Sequence, residues 1–183
     1  MVEITPNFDW LSVVTKNGEP YFYPTGQSVL SRDTLSRPVI YRWSLHTQDG
    51  KREFLVGETE NLYKRIGHYL KHGNPRNRHH IEIRERFDKV LDTGGAVSLE
   101  TLKFEPFKIN GVTFAPDRLH DPFGRLVLEN LCCLQLADEG FQLLNATVKR
   151  KTKRELEKIF REHPEEASKI LKDFILQKTA KAS

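Results

Sequence analysis

Three residues within Val39–Leu70 have the types and spacing to do chemistry: Tyr41, Arg65 and Tyr69. An arginine presents a planar fork of donors that grips an oxyanion with two parallel hydrogen bonds. A tyrosine hydroxyl can orient a water, but with a pKa near about 10 it is a poor base at neutrality unless a cation lies beside it. Arg65 and Tyr69 are four residues apart, so on a helix both project from one side. The plain alternative for Arg65 is structural, its methylenes covering the rim of an apolar face. Glu129 is the fourth candidate, because it interrupts the apolar run Leu126-Val127-Leu128 and Leu131-Cys132-Cys133-Leu134-Leu136. A carboxylate there is costly unless it is paired or metal-bound. An i,i+4 ion pair with Arg125 and a divalent-metal ligand are the two readings.

The elements that must position these groups follow from pattern. Val39, Tyr41 and Trp43 alternate with Ile40 and Arg42 as in a strand, Asp49-Gly50 marks a turn, and Phe54-Leu55-Val56 forms a second strand ended by Gly57. From Thr59 a helical pattern places Leu62, Ile66, Tyr69 and Leu70 on one face, with His68 on an adjacent one. Gly73 stops that helix, NPRNRHH reads as an exposed loop, and a further helix begins at Ile81. VSLETLKF is a third strand, and the Asn-Gly pair between Phe107 and Phe114 reads as a small hairpin. Asp121 and Pro122 suit the N-cap and first position of the helix carrying Glu129, whose apolar residues cover nearly its whole circumference, as in a buried helix.

On this reading residues 1–37 are an N-terminal extension with an Asn-Gly hairpin at TKNGEP, residues 38–148 the main domain, and residues 149–183 a basic helical tail. The loop after that hairpin carries Arg32 and Arg37, and reads as a lid over the sheet or a phosphate contact. The net charge of +4 is concentrated in the tail, where 11 Lys or Arg face 6 Asp or Glu. That bias suits a polyanionic partner, packing on the core, or a homodimer interface. No apolar run reaches membrane-spanning length, and the first residues lack the layout of a signal peptide. The two cysteines, Cys132 and Cys133, are neighbours and exclude a four-thiolate zinc site; a reducing cytoplasm fits them. No Walker, Rossmann or Ser-His-Asp pattern is present.

Val39-Ile40-Tyr41 and Leu55-Val56-Gly57, followed by Asn61, Leu62 and Arg65, resemble the two tripeptides and the Gly-Asn-Leu-Arg run of the GIY-YIG nucleases. Val39 stands for the first glycine and Leu55 for the second tyrosine. The resemblance implies an α/β (α+β) fold with a three-stranded antiparallel sheet flanked by helices, and a Mg2+-dependent endonuclease acting on double-stranded DNA. It assigns Tyr41 to the water, Arg65 to the phosphate, Glu129 to one Mg2+ and Tyr69 to a supporting role. It further suggests His68, His79 or His80, and Asn145, as supporting residues. Lys64, Lys71, Arg76, Arg78, Lys149, Arg150 and Lys151 are the candidate DNA contacts. The compact chain is most similar to the small restriction enzymes of the family. Phage, mobile-element and repair nucleases, or a non-catalytic nucleic-acid-binding protein on the same fold, are the alternatives.

Overall fold

The computed structural model describes residues 6–70, 78–109, 111–144 and 164–165. In chain order the elements are β1 (Phe8–Ser12), α1 (Arg32–Leu35), β2 (Val39–His46), β3 (Arg52–Thr59), α2 (Leu62–Tyr69), α3 (Arg78–Asp92), β4 (Ala96–Phe104), β5 (Phe107–Ile109), β6 (Val112–Phe114), α4 (Pro122–Asp138) and β7 (Gln142–Leu143). One sheet has the order β1-β4-β2-β3-β7, antiparallel except for the β3–β7 pair. The expected three strands are its centre. β1 and β7 extend it at either edge, through pairings between segments far apart in sequence. β5 and β6 form the expected hairpin, with Gly111 at φ +80° in its turn.

Local chemistry explains the central hairpin. Gly50, at φ +80°, takes the left-handed position of the turn that joins β2 to β3. Pairing then runs from His46 opposite Arg52 to Val39 opposite Thr59. β3 therefore does not stop at Gly57, because the ladder continues for two more residues. The helix starts later than Thr59 for a related reason. Asn61 is its N-cap, its side chain accepting from the Lys64 N–H at 2.9 Å, so α2 begins at Leu62. At α4 the expected cap holds: Asp121 accepts from the N–H groups of Phe123 and Gly124, and Pro122 follows.

Alternation along β2 divides the molecule into two apolar layers. Val39, Tyr41, Trp43 and Leu45 face α2 and α3, joined by Leu55, Ile66, Tyr69, Phe87, Val97 and Leu99. Val13, Tyr21, Tyr23, Leu30 and Leu35 belong to the same layer, so the N-terminal segment is part of this core. Its Asn-Gly turn is present, with Gly18 at φ +85° and Tyr21 N–H bonded to the Val13 carbonyl, but β1 pairs along β4. Ile40, Phe54, Val56, Leu102 and Phe104 face α4 and the β5–β6 hairpin on the other side. α4 is less enclosed than its sequence implies. Leu131 and Cys133 are only partly buried and Leu134 is exposed, since the sheet covers one side of the helix.

Two further expectations change at α3. It begins at Arg78, not Ile81, so His79 and His80 lie in its first turn rather than in a loop. α3 is tied to the sheet by Arg86, which donates two hydrogen bonds to the buried Glu53 carboxylate on β3. Removing one partner leaves a buried charge without compensation, whereas removing both does not. Arg86→Met should lower unfolding stability by about 3 kcal/mol, and Glu53→Met added to it should recover part of the loss. Thermal or denaturant unfolding of the three proteins checks this.

Candidate active site

Tyr41 lies directly opposite Gly57 in the β2–β3 ladder, and its ring crosses the space a side chain there would fill. A Cβ on Gly57 would stand 2.5 Å from the Tyr41 Oη. With that space open, the phenol reaches α2 and its hydroxyl lies 3.0 Å from the Tyr69 hydroxyl. Both rings are buried, at 2% and 4% exposure. Arg65, one turn before Tyr69, lines an open cleft of about 350 Å³ with Glu58, Thr59, Glu60, Asn61, Lys64, His68 and Arg125.

The electrostatics of this group are those of a cation among acidic oxygens. Burial raises Tyr41 well above the usual tyrosine value, reinforced by Tyr69 and opposed by Arg65. Burial also raises Tyr69, against the hydrogen bond with Tyr41 and the charge of Arg65. Both are neutral phenols at pH 7. Burial works against the charge of Arg65, but Tyr41, Tyr69, Glu58 and Glu129 outweigh it and its pKa rises. Among the described residues the guanidinium makes one hydrogen bond, a long 3.5 Å contact to the Glu58 carbonyl.

Glu129 is half-buried on α4, and its charge acts on Tyr41, Arg65 and Tyr69 alike. Tyr41 and Tyr69 are thus in contact, Arg65 lies one helical turn before Tyr69, and Glu129 on α4 is within electrostatic reach of all three. Arg125 does not serve as the helical partner weighed for Glu129. Its Nε donates to Glu58 at 2.7 Å and its Nη2 to Glu60 at 3.2 Å. Of the histidines, His68 is exposed on the cleft wall, its pKa pushed down by desolvation and by Arg65. The His80 ring lies 5.5 Å from that of His68 and 5.4 Å from that of Tyr69. Lys64 is exposed at the cleft. Arg78 and His79 are in the first turn of α3. Lys71, Arg76, Asn145, Lys149, Arg150, Lys151 and the tail, apart from residues 164–165, lie outside the described residues.

Among the described residues no three His, Cys, Asp or Glu converge on one point. Glu129 is the carboxylate that the sequence proposes for a metal, and Glu58 and Glu60 are the carboxylates that line the cleft. Burial raises the neighbouring Cys132 and Cys133 thiols, Cys133 to about 12. A carboxylate oxygen suits a hard ion such as Mg2+, which keeps several waters and completes its shell with substrate phosphate. No protein-family model matches the chain, and neither does any curated protein or solved structure. Also among the described residues, no helix is long and apolar enough to cross a membrane.

Sequence reasoning missed Glu58, Glu60 and Arg125 as one cluster. Arg125 is more than sixty residues from both carboxylates, and no periodicity signals such a pair. Gly57 gives the first direct test of the arrangement. Gly57→Ala should displace the Tyr41 ring and cost about 1–3 kcal/mol, as overpacking does. Since folding raises the Tyr41 and Tyr69 pKa values, their neutral forms contribute stability fully below about pH 10, and that contribution is lost as pH rises through the folded values. Ultraviolet titration of the folded variant should therefore show an additional tyrosine ionising closer to its ordinary value than in wild type.

Proposed function

We propose that this chain is a metal-dependent DNA endonuclease of the GIY-YIG kind, with a restriction-like, sequence-specific role. One observation carries the reading. Arg42, Arg86 and Arg125 are each hydrogen-bonded to a carboxylate, whereas Arg65 has only a distant carbonyl among the described residues and lines the cleft. It is a cation whose fork of donors is hydrogen-bonded to no carboxylate among the described residues, as a phosphate clamp requires.

Hydrolysis of a phosphodiester needs an oriented water, stabilisation of charge on the phosphorus oxygens, and help for the leaving oxygen. Arg65 takes the non-bridging oxygens. Tyr41 orients the water through its hydroxyl; as a buried neutral phenol it acts as a hydrogen-bonding partner in the free protein, not as a base. Tyr69 fixes that hydroxyl at 3.0 Å. Glu129 is the residue that would hold the Mg2+, which supplies neutralisation of phosphate charge and assistance to the leaving group. Lys64 extends the cationic wall toward flanking phosphates.

Leu55, where family members carry their second tyrosine, is buried in the core. This favours the rival reading, a nucleic-acid-binding protein without activity. The Tyr69 hydroxyl answers it, because it gives Tyr41 a hydroxyl partner from α2. Arg65→Lys separates the two readings, since an ammonium keeps the charge but cannot give two parallel donors. Single-turnover cleavage should fall by at least roughly a hundredfold, the scale of losing one oriented transition-state donor, with melting temperature and duplex affinity little changed. Glu129→Gln should abolish cleavage and leave binding near wild type. Wild-type cleavage by either folded variant would overturn the assignment.

A further inference from the structure

Arg125 is among the most deeply buried charged residues described, 3% exposed in the first turn of α4. Three of its nitrogens are engaged: Nε by Glu58 at 2.7 Å, Nη2 by Glu60 at 3.2 Å and Nη1 by the Leu119 carbonyl at 2.8 Å. Each contact reaches a different place. Glu58 is on β3, next to the Gly57 that receives Tyr41; Glu60 is in the segment that leads to α2; Leu119 is in the turn before α4. One side chain thereby ties the start of α4 to the strand and connection that precede Arg65. Glu129 follows Arg125 by one helical turn.

Charge gives these contacts a second consequence. Glu58 and Glu60 line the same cleft as Arg65 and Lys64, and the negative charge of Glu58 acts on Arg65. A carboxylate at the mouth of a phosphate site repels the substrate and competes for its clamp. Arg125, itself buried, pairs with both.

We infer that Arg125 is a positioning residue: it fixes the helix that carries Glu129 against β3, and it takes up the charge of Glu58 and Glu60 so that the Arg65 guanidinium is left to the phosphate. What the positioned groups do rests on the nuclease reading above. The contacts themselves do not.

The test measures single-turnover cleavage and duplex affinity, with melting temperature alongside, for wild type, Arg125→Met, Arg125→Met/Glu58→Gln and Arg125→Lys. Arg125→Met should slow cleavage by roughly ten- to hundredfold, the range seen when a residue supporting a metal ligand is lost, and should weaken duplex binding. Adding Glu58→Gln removes the liberated carboxylate and should restore most of the binding and part of the cleavage, the tie between α4 and β3 still being absent. A purely structural arginine gives a different pattern, in which the double variant regains melting temperature and not cleavage; that result overturns the inference. So does wild-type cleavage by Arg125→Met. Should Arg125→Met fail to fold, Arg125→Lys decides. A point charge cannot span two carboxylates and a carbonyl, so cleavage should be several-fold slower than wild type, and an unchanged rate refutes the proposal. Absence of cleavage by wild type itself would instead bring down the nuclease reading, and the role assigned to Arg125 with it.

Discussion

The missing side chain at Gly57 is the constraint on which the site depends. Because β3 carries only hydrogen at that position, the Tyr41 phenol lies across the strand and its hydroxyl meets Tyr69. That meeting sets how close α2 stands to the sheet, and therefore where Arg65 emerges. A second glycine acts on the opposite flank of the helix. The Gln27 side chain donates to the Tyr63 carbonyl and occupies the notch at Gly67, where a Cβ would come within 2.9 Å of its amide oxygen. α2 is thus held between a tyrosine from the sheet and a glutamine from the N-terminal segment. Neither contact is apolar, and both are short-range and directional.

Around this arrangement most of the buried charge is compensated locally. Arg42 pairs with Glu100 at 2.6 Å, and its guanidinium lies 4.4 Å from the ring centre of Trp10 and 4.5 Å from that of Phe54. Such an arginine satisfies its charge within the protein and has nothing to offer a ligand. Arg86 with Glu53, and Arg125 with Glu58 and Glu60, are further examples. Arg65 stands apart from them by its hydrogen bonding, and by its place on the wall of a cleft. The contrast is between residues of one type in one molecule, which makes it more informative than the exposure of any one of them.

Much of this was legible in the sequence where the signal is local. The Asp-Gly turn, the alternation through Trp43, the stripe of Leu62, Ile66 and Tyr69, and the Asp121-Pro122 cap each depend on neighbours within a few residues, and each appears as read. What was not legible depends on distant partners. Nothing within Phe8–Ser12 marks β4 as its neighbour, and the two residues of β7 are too few to show a period. The continuation of β3 past Gly57 follows from a cross-strand register, not from the glycine itself. Of the site, Tyr41, Arg65, Tyr69 and Glu129 could be named from type and spacing. The cluster of Arg125 with Glu58 and Glu60 could not, since its members lie in separate elements and each has an ordinary reading alone.

The central claim is that these groups together cut DNA. The most direct measurement incubates supercoiled plasmid with the wild-type protein in Mg2+, and in parallel with a chelator added, and follows conversion to nicked and linear forms. The account predicts conversion with Mg2+ and none with chelator. Supercoiled plasmid left intact in Mg2+, by protein that is folded and binds the duplex, would contradict it.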